Sequence, residues 1–277
     1  HVGGRCFPVK EVHLDELATE FGSKLRCKGA IDNRIKDAFS EEKVKKIDQR
    51  HCERMAGIVT DVVKLIAEPG TTILVFLPGI SEISSMWEEA KGLEEENTRF
   101  KVYPLHSMIP REEQELVFQE PESHITNIVL STDIAESSVT LPNVVAVIDL
   151  GLHRRMDHDQ RRGMSALTLK WISCASAKQR SGRAGRTRPG TCLRMYPKTF
   201  FDSTMKPFDL PESASMPLDT LYLQSKQLCE KLRESTGGEA DLPKNALQVI
   251  IRLPQAPTVD RIDIARARNA DLGALGS

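Results

Sequence analysis

Gln179, Arg183 and Arg186 sit in the segment Ser176-Ala-Lys-Gln-Arg-Ser-Gly-Arg-Ala-Gly-Arg186, where residue type and spacing point most directly to chemistry. On a helix the offsets i, i+4 and i+7 bring one amide and two guanidiniums to a single side. Such a set suits an anion whose charge spreads over several oxygens, such as a nucleotide γ-phosphate, because arginine grips phosphate bidentately. Ser176 is expected to cap that helix. Gly182 and Gly185 would each cost about 1 kcal/mol against alanine within it, so bare backbone there suggests the close approach of another surface. A solvated arginine helix pairing with acidic neighbours would carry the same letters, and the residues alone leave both readings open.

The formal charge of −1, from 38 Lys+Arg against 39 Asp+Glu, hides a sorted distribution. Between Leu152 and Arg188 ten basic residues (Arg154, Arg155, Arg161, Arg162, Lys170, Lys178, Arg180, Arg183, Arg186 and Arg188) face only Asp157 and Asp159. From Glu82 to Glu96 six glutamates face Lys91. A basic run rich in arginine beside glycines argues for anionic partners, although a solvated face is the plainer alternative. His153 and His158 with Asp157 and Asp159 lack metal-ligand spacing, so no metal site is expected. The six cysteines form no C-x-x-C pair, which suits a reducing compartment. No Ser/His/Asp or Cys/His arrangement is legible from spacing.

These residues need a scaffold, and the pattern from about Thr71 to Tyr196 predicts one. Thr71–Leu77 reads as a buried strand stopped by Pro78-Gly79, and Ser81 as the cap of a helix to about Glu96. Phe100–Leu105, Ile125–Leu130 and Val144–Leu150 read as further strands, and Pro110 marks another helix start. Strands alternating with helices imply an α/β fold with a parallel sheet. Residues 1–67 hold a short extended opening, Cys6 to Val12, and a long amphipathic helix with Ile58, Val59, Val62, Val63, Leu65 and Ile66 on its apolar face. After Tyr196 strand signals fade; Pro217 opens a helix through Leu232, and a helical stretch runs from Val259 to Leu272. The expected division is a first domain over 1–205 and a smaller, mostly helical module over 206–277. No apolar run reaches the roughly 18 residues that span a bilayer, so no membrane partner is expected.

At this point the letters resemble a family. Gln179-Arg-Ser-Gly-Arg-Ala-Gly-Arg186 is similar to motif VI of the DEAH-box/RNA helicase A-like superfamily 2 helicases, Ser131-Thr-Asp-Ile-Ala-Glu-Ser-Ser-Val-Thr140 to their motif V, and Phe76-Leu-Pro-Gly79 with Glu82-Ile83 to motif IV. Leu105-His-Ser107, Glu113-Gln114, Phe118, Trp171-Ile-Ser-Cys-Ala175, and Gly4-Arg5 with Phe7-Pro8-Val9 fall where that family carries such residues. The resemblance covers roughly residues 3 to 230. It implies a RecA-like parallel sheet with flanking helices, followed by the start of a winged-helix-like region, which Pro217–Gln227 and Ala270–Leu275 match.

Residue by residue, the resemblance implies that Arg183 and Arg186 are arginine fingers and that Gln179 holds the γ-phosphate or its attacking water. Phe118 is implied as the aromatic that stacks on adenine, with a core-packed helix residue as the other reading. Thr132 and Ser107, beside His106, would contact the phosphate backbone of RNA. Asp133 would lie near the nucleotide; the family commonly has asparagine there, so the added negative charge is a departure. Leu152 to Trp171 falls where the family carries a protruding β-hairpin, its tip Asp157–Gly163 flanked by Arg154, Arg155, Arg161 and Arg162, which would face RNA as a wedge or bookend.

The sequence holds no G-x-x-x-x-G-K-[ST] phosphate loop and no Asp-Glu-x-His or Ser-Ala-Thr tripeptide. In the family these belong to a first RecA-like domain, which would also hold most of the Mg2+ ligands. The chain opens at His1 without methionine or a signal sequence, and is expected to be an excised piece carrying half an ATP site. The expected function is the second motor domain of an ATP-dependent RNA helicase, inactive alone. The alternative is a catalytically inert helicase-like scaffold that binds RNA or protein. An activating protein or a ribonucleoprotein complex is a further partner the resemblance allows. The expected location is intracellular, cytoplasmic first, with nucleus and mitochondrion open.

Overall fold

A computed structural model of the chain describes residues 7–39, 44–48, 50–96, 98–137, 139–159, 164–209, 218–236, 243, 245–253 and 256–273. Residues 1–154 with 169–209 form one compact unit, and 155–168 with 210–277 another.

The first unit is built on six parallel strands: β1 (Val9–His13), β2 (Thr71–Phe76), β3 (Phe100–Leu105), β4 (Thr126–Ser131), β5 (Val144–Asp149) and, after the hairpin strands β6 (Leu152–Asp159) and β7 (Met164–Trp171), β8 (Gly190–Arg194). Their order across the sheet is β1-β8-β5-β2-β4-β3. Strands β2, β4 and β5 are buried along their whole length, because helices cover both faces, and this explains their continuous apolar letters. Alternate residues serve opposite cores: Ile73, Val75 and Leu77 join one, Leu74 and Phe76 the other.

The first face is covered by helices α1 (Leu17–Phe21), α2 (Lys28–Ala38), α3 (His51–Ile66) and α4 (Ile80–Glu96). In α3 the residues Met55, Ile58, Val59, Val62 and Val63 are buried at helical spacing, each contributing about 1.5–3 kcal/mol by burial. Placing a carboxylate at Val62 would break that seam. Helix α4 begins one residue before Ser81, which therefore lies inside the first turn and is not its cap. The opposite face takes Val117, at the end of α5 (Arg111–Val117), Ala135 of α6 (Ile134–Ser137), and Ala184. Helix α7 (Cys174–Ser181), helix α8 (Lys198–Ser203) and a 3-10 turn over Gly22–Lys24 also belong to this unit. The helix after β2 (α4) and the helix after β4 (α6) thus cover opposite faces, so the chain diverges at the carboxyl ends of these two neighbours. Open α/β sheets bind ligands at such an edge.

In the second unit, three described helices, α9 (Leu218–Thr236), α10 (Ala246–Ile251) and α11 (Val259–Asp271), enclose a small core of Leu218, Ile250, Ile262 and Ala265. Asn245 caps α10, its Oδ1 accepting from the Gln248 amide at 2.9 Å. Pro217 lies outside the described residues, as does the hairpin tip around Gln160–Gly163.

Candidate active site at the carboxyl edge of the sheet

The last residues of the strands form one register row. Leu105 pairs with Ser131, Ser131 with Phe76, Phe76 with Asp149, Asp149 with Arg194, and Arg194 with His13. Asp149 and Arg194 are wholly buried there, and buried charge is tolerated only when paired and hydrogen-bonded. Arg194 donates to Glu11 Oε1 at 2.6 Å and to the Tyr196 hydroxyl at 2.9 Å, and Tyr196 donates to Asp149 Oδ2 at 3.1 Å. Burial, then the Asp149 charge, push the Tyr196 hydroxyl above its usual pKa, so it stays protonated and can donate.

Arg180 completes the network from α7. Its guanidinium has no exposed surface and lies 4.8 Å from the centre of the Phe76 ring. Nη1 donates to Asp149 Oδ1 at 2.7 Å, Nη2 to Asp133 Oδ1 at 2.6 Å and to the Leu152 carbonyl at 3.3 Å, and Nε to Glu136 Oε2 at 3.1 Å. Burial works against its charge, but Asp149, Asp133 and Glu136 outweigh burial and keep it ionised. One planar fork serving three carboxylates from two segments is a geometry lysine could not supply. Asp133 Oδ1 is taken by Arg180, while Oδ2 lies 3.7 Å from His153 Nδ1 and the side chain keeps 43% of its surface exposed. Burial would raise its pKa, yet the His153 contact and the Arg180 charge hold it below the usual carboxylate range.

The arginines singled out by spacing lie past the helix end. Helix α7 stops at Ser181, capped at its start by Ser173, whose Oγ accepts from the Ser176 amide at 3.2 Å. Ser176, expected as the cap, instead donates its hydroxyl to Glu136 Oε2 at 2.7 Å. Arg183 and Arg186 therefore do not share a helical face with Gln179; turns carry them, held by Arg183 N→Arg180 O at 3.1 Å and Ala184 N→Ser181 O at 3.1 Å. Of these two glycines Gly185 is the one that needs its bare backbone: the Phe7 amide donates to the Gly185 carbonyl at 2.8 Å, and a Cβ on Gly185 would lie 2.6 Å from the Phe7 carbonyl oxygen. Gly182 meets only carbonyls of its own helix at 3.4 Å or more, so its expected close approach is not found.

Both arginines lean on one short stretch after α6. Arg183 Nη1 donates to the Val139 carbonyl at 3.1 Å, and Arg186 Nη1 to the Thr140 hydroxyl at 2.7 Å. Among the described residues neither has a carboxylate within ion-pair distance. Burial, then the like charge of Arg186, lower the Arg183 pKa. Gln179 and Arg186 are exposed. Two adjacent cations anchored to neutral oxygens at an open edge would be stabilised by a polyanion.

Ser107 is exposed and Thr132 half-buried, both just past the paired ends of β3 and β4. Phe118, at the end of α5, is 42% exposed and so is not a core residue. Arg154 is turned to the protein: Nη2 donates to Glu82 Oε1 at 2.6 Å, and its side chain crosses over Gly79. Arg155 belongs to the second unit, and Arg161 and Arg162 lie outside the described residues. Spacing missed Arg180, Glu136, Asp149, Arg194 and Glu11. A signal existed for two of them, since Asp149 and Arg194 interrupt apolar strands, where a charge must be paired.

The family model of the helicase conserved C-terminal domain matches residues 57–188. The ATP-dependent RNA helicase DHX30 of Homo sapiens is 32% identical over 281 residues, covering 99% of this chain and 21% of the relative. Its counterpart in Gallus gallus is 30% identical over 286 residues, covering 99% of this chain and 20% of the relative. The chain thus spans about a fifth of the length of the curated relatives it matches. The crystal structure of the Escherichia coli DEAH/RHA helicase HrpB aligns with a TM-score of 0.69 at 24% identity, over 99% of this chain and 29% of that one, a likeness of fold. Motif order, sheet topology and these relatives agree that the chain belongs to the C-terminal region of the DEAH-box/RNA helicase A-like superfamily 2 helicases.

Proposed function

We propose that this chain is the second motor domain of an ATP-dependent RNA helicase, with the motor over 1–205 and a helicase-associated region from 206. The observation that carries the reading is the pair Arg183 and Arg186, two cations set on Val139 and Thr140 without a carboxylate partner among the described residues. In this reading they neutralise charge on the γ-phosphate during its transfer to water, while Gln179 orients the attacking water. Fingers of this kind are worth about 10³–10⁵ in rate. Phe118, exposed, stacks on the base, and Asp133, partly exposed beside Arg180, lies near the nucleotide. ATP with Mg2+, held largely by a first RecA-like domain, supplies the phosphoryl group. RNA runs past Ser107 and Thr132, and Arg155, Arg161 and Arg162 of the hairpin meet it through phosphates. An intracellular, cytoplasmic setting and an activating protein or ribonucleoprotein partner belong to the same reading.

The test is Arg183→Ala in the full-length protein, followed by single-turnover hydrolysis at saturating ATP and RNA. A fall of about 10³-fold is expected, with nucleotide affinity less affected. A loss below about threefold would overturn the assignment, and a parent protein inert with every RNA tried would favour the scaffold alternative. The 277-residue chain by itself, lacking a phosphate loop, should show no RNA-stimulated hydrolysis.

A further inference from the structure

Asp133 stands where the resemblance leads one to expect asparagine, and its carboxylate joins two other segments. Oδ1 accepts from Arg180 Nη2 at 2.6 Å, and Oδ2 lies 3.7 Å from His153 Nδ1. Asp133 directly follows Thr132 at the end of β4; His153 is the second residue of β6, at the base of the hairpin; Arg180 lies in α7, whose continuation bears Arg183 and Arg186. The same Arg180 nitrogen donates to the Leu152 carbonyl at 3.3 Å, so it touches the turn after β4 and the hairpin base together. Arg180 and His153 are both buried, at 0% and 2% exposure, and closely packed interiors shift between discrete arrangements and resist gradual deformation. An amide at position 133 could still accept from Arg180. It would lose the charge assistance that roughly doubles such a bond, and would offer His153 no anion.

We propose that Asp133 is a positioning residue that, through Arg180 and His153, locks the turn at Thr132 and the base of the β6–β7 hairpin to the turn bearing Arg183 and Arg186. Nucleic acid held at Thr132 then stiffens the arginines that face nucleotide. The proposal rests on the helicase reading above and names the route by which RNA accelerates hydrolysis.

Asp133→Asn in the full-length protein tests it, with kcat and KM for ATP measured with and without single-stranded RNA. The ratio of RNA-stimulated to RNA-free kcat should fall by about 5- to 150-fold, the usual span of coupling between sites, while KM for ATP moves by less than about twofold. His153→Phe keeps a ring without a nitrogen and should give the same split, and the double variant should lose no more than the larger single loss. An unchanged ratio, a rise in KM with kcat intact, or losses that multiply in the double variant would each overturn the relay. Should Asp133→Asn fail to fold, His153→Phe decides by the same ratio. Normal hydrolysis by Arg183→Ala would sink the helicase reading itself, whereas an unmoved ratio beside a defective Arg183→Ala sinks the relay alone.

Discussion

Arg180 Nη1 donates to Asp149 Oδ1 at 2.7 Å, and neither side chain has any exposed surface. Through Asp149 the contact extends to Tyr196 and Arg194, and through Arg180 to Asp133 and Glu136, so one buried guanidinium joins β5, the turn after β4, and α7. A network in a low-dielectric interior is stable only while every member is satisfied.

Removing Arg180 should therefore unfold before it merely weakens. Arg180→Ala leaves Asp149 buried without its main partner, at a cost of about 3–5 kcal/mol. Arg180→Lys should recover little of that, because a single ammonium cannot fork to three carboxylates. Urea denaturation of the purified variants measures both, and a midpoint equal to the parent's for the lysine variant would contradict the fork.

The hairpin arginines should separate into two classes. Arg154 pairs with Glu82, whose side chain is 8% exposed, so Arg154→Gln should lower stability by about 1–3 kcal/mol. Neutralising Arg155, Arg161 and Arg162 should instead weaken RNA binding, each lost phosphate contact flattening the slope of log K against log salt by about 0.7. Salt titrations of single-stranded RNA binding, run beside thermal melts, distinguish them. Equal melting points and equal slopes across both classes would remove the distinction.

Gly185→Ala should disturb the arginine pair without touching it. The new methyl carbon would meet the Phe7 carbonyl at 2.6 Å and Val9 Cγ2 at 2.7 Å, so the turn must shift, costing about 1–3 kcal/mol. The full-length variant is expected to melt lower and to lose hydrolysis well beyond its loss of folded fraction. Parent-like activity per folded molecule would show that the arginines tolerate the shift.

A pH dependence follows from His51, which is 4% exposed, its Nε2 without a hydrogen-bond partner among the described residues. Burial lowers its pKa from 6.5 to about 4, against the weaker opposing pull of Asp48 and with help from Arg34 and Arg54. Because the folded value is depressed, the unfolded chain takes up a proton near 6.5 while the folded chain does not until about 4. Stability should therefore fall as pH drops through that window, by up to roughly 3 kcal/mol from this group. Denaturation series between pH 7 and pH 4 on the parent and on His51→Phe check it. An identical slope in the variant would exclude His51 as the source.

Much was already determined by the letters alone. Continuous apolar runs such as Thr71–Leu77 and Val144–Leu150 meant strands buried on both faces, since only a covered sheet tolerates them, and Phe100–Leu105 and the α3 seam followed from local periodicity. The arginines of the Gln179–Arg186 segment were legible too, because their types name the ligand chemistry wherever they sit. What only the tertiary structure decided is which charges are spent inside the protein. The same run of basic letters holds Arg180, wholly buried, Arg154, paired to Glu82, and Arg186, exposed. Nor could helical spacing reveal that α7 ends at Ser181, or that Gly185 beyond it passes against Phe7. The reason is distance along the chain: Asp149 and Arg180 are 31 residues apart, and Glu11 and Arg194 are 183 apart. Periodicity reports on neighbours a few residues away, whereas these pairs exist only once parallel strands align their carboxyl ends in one row.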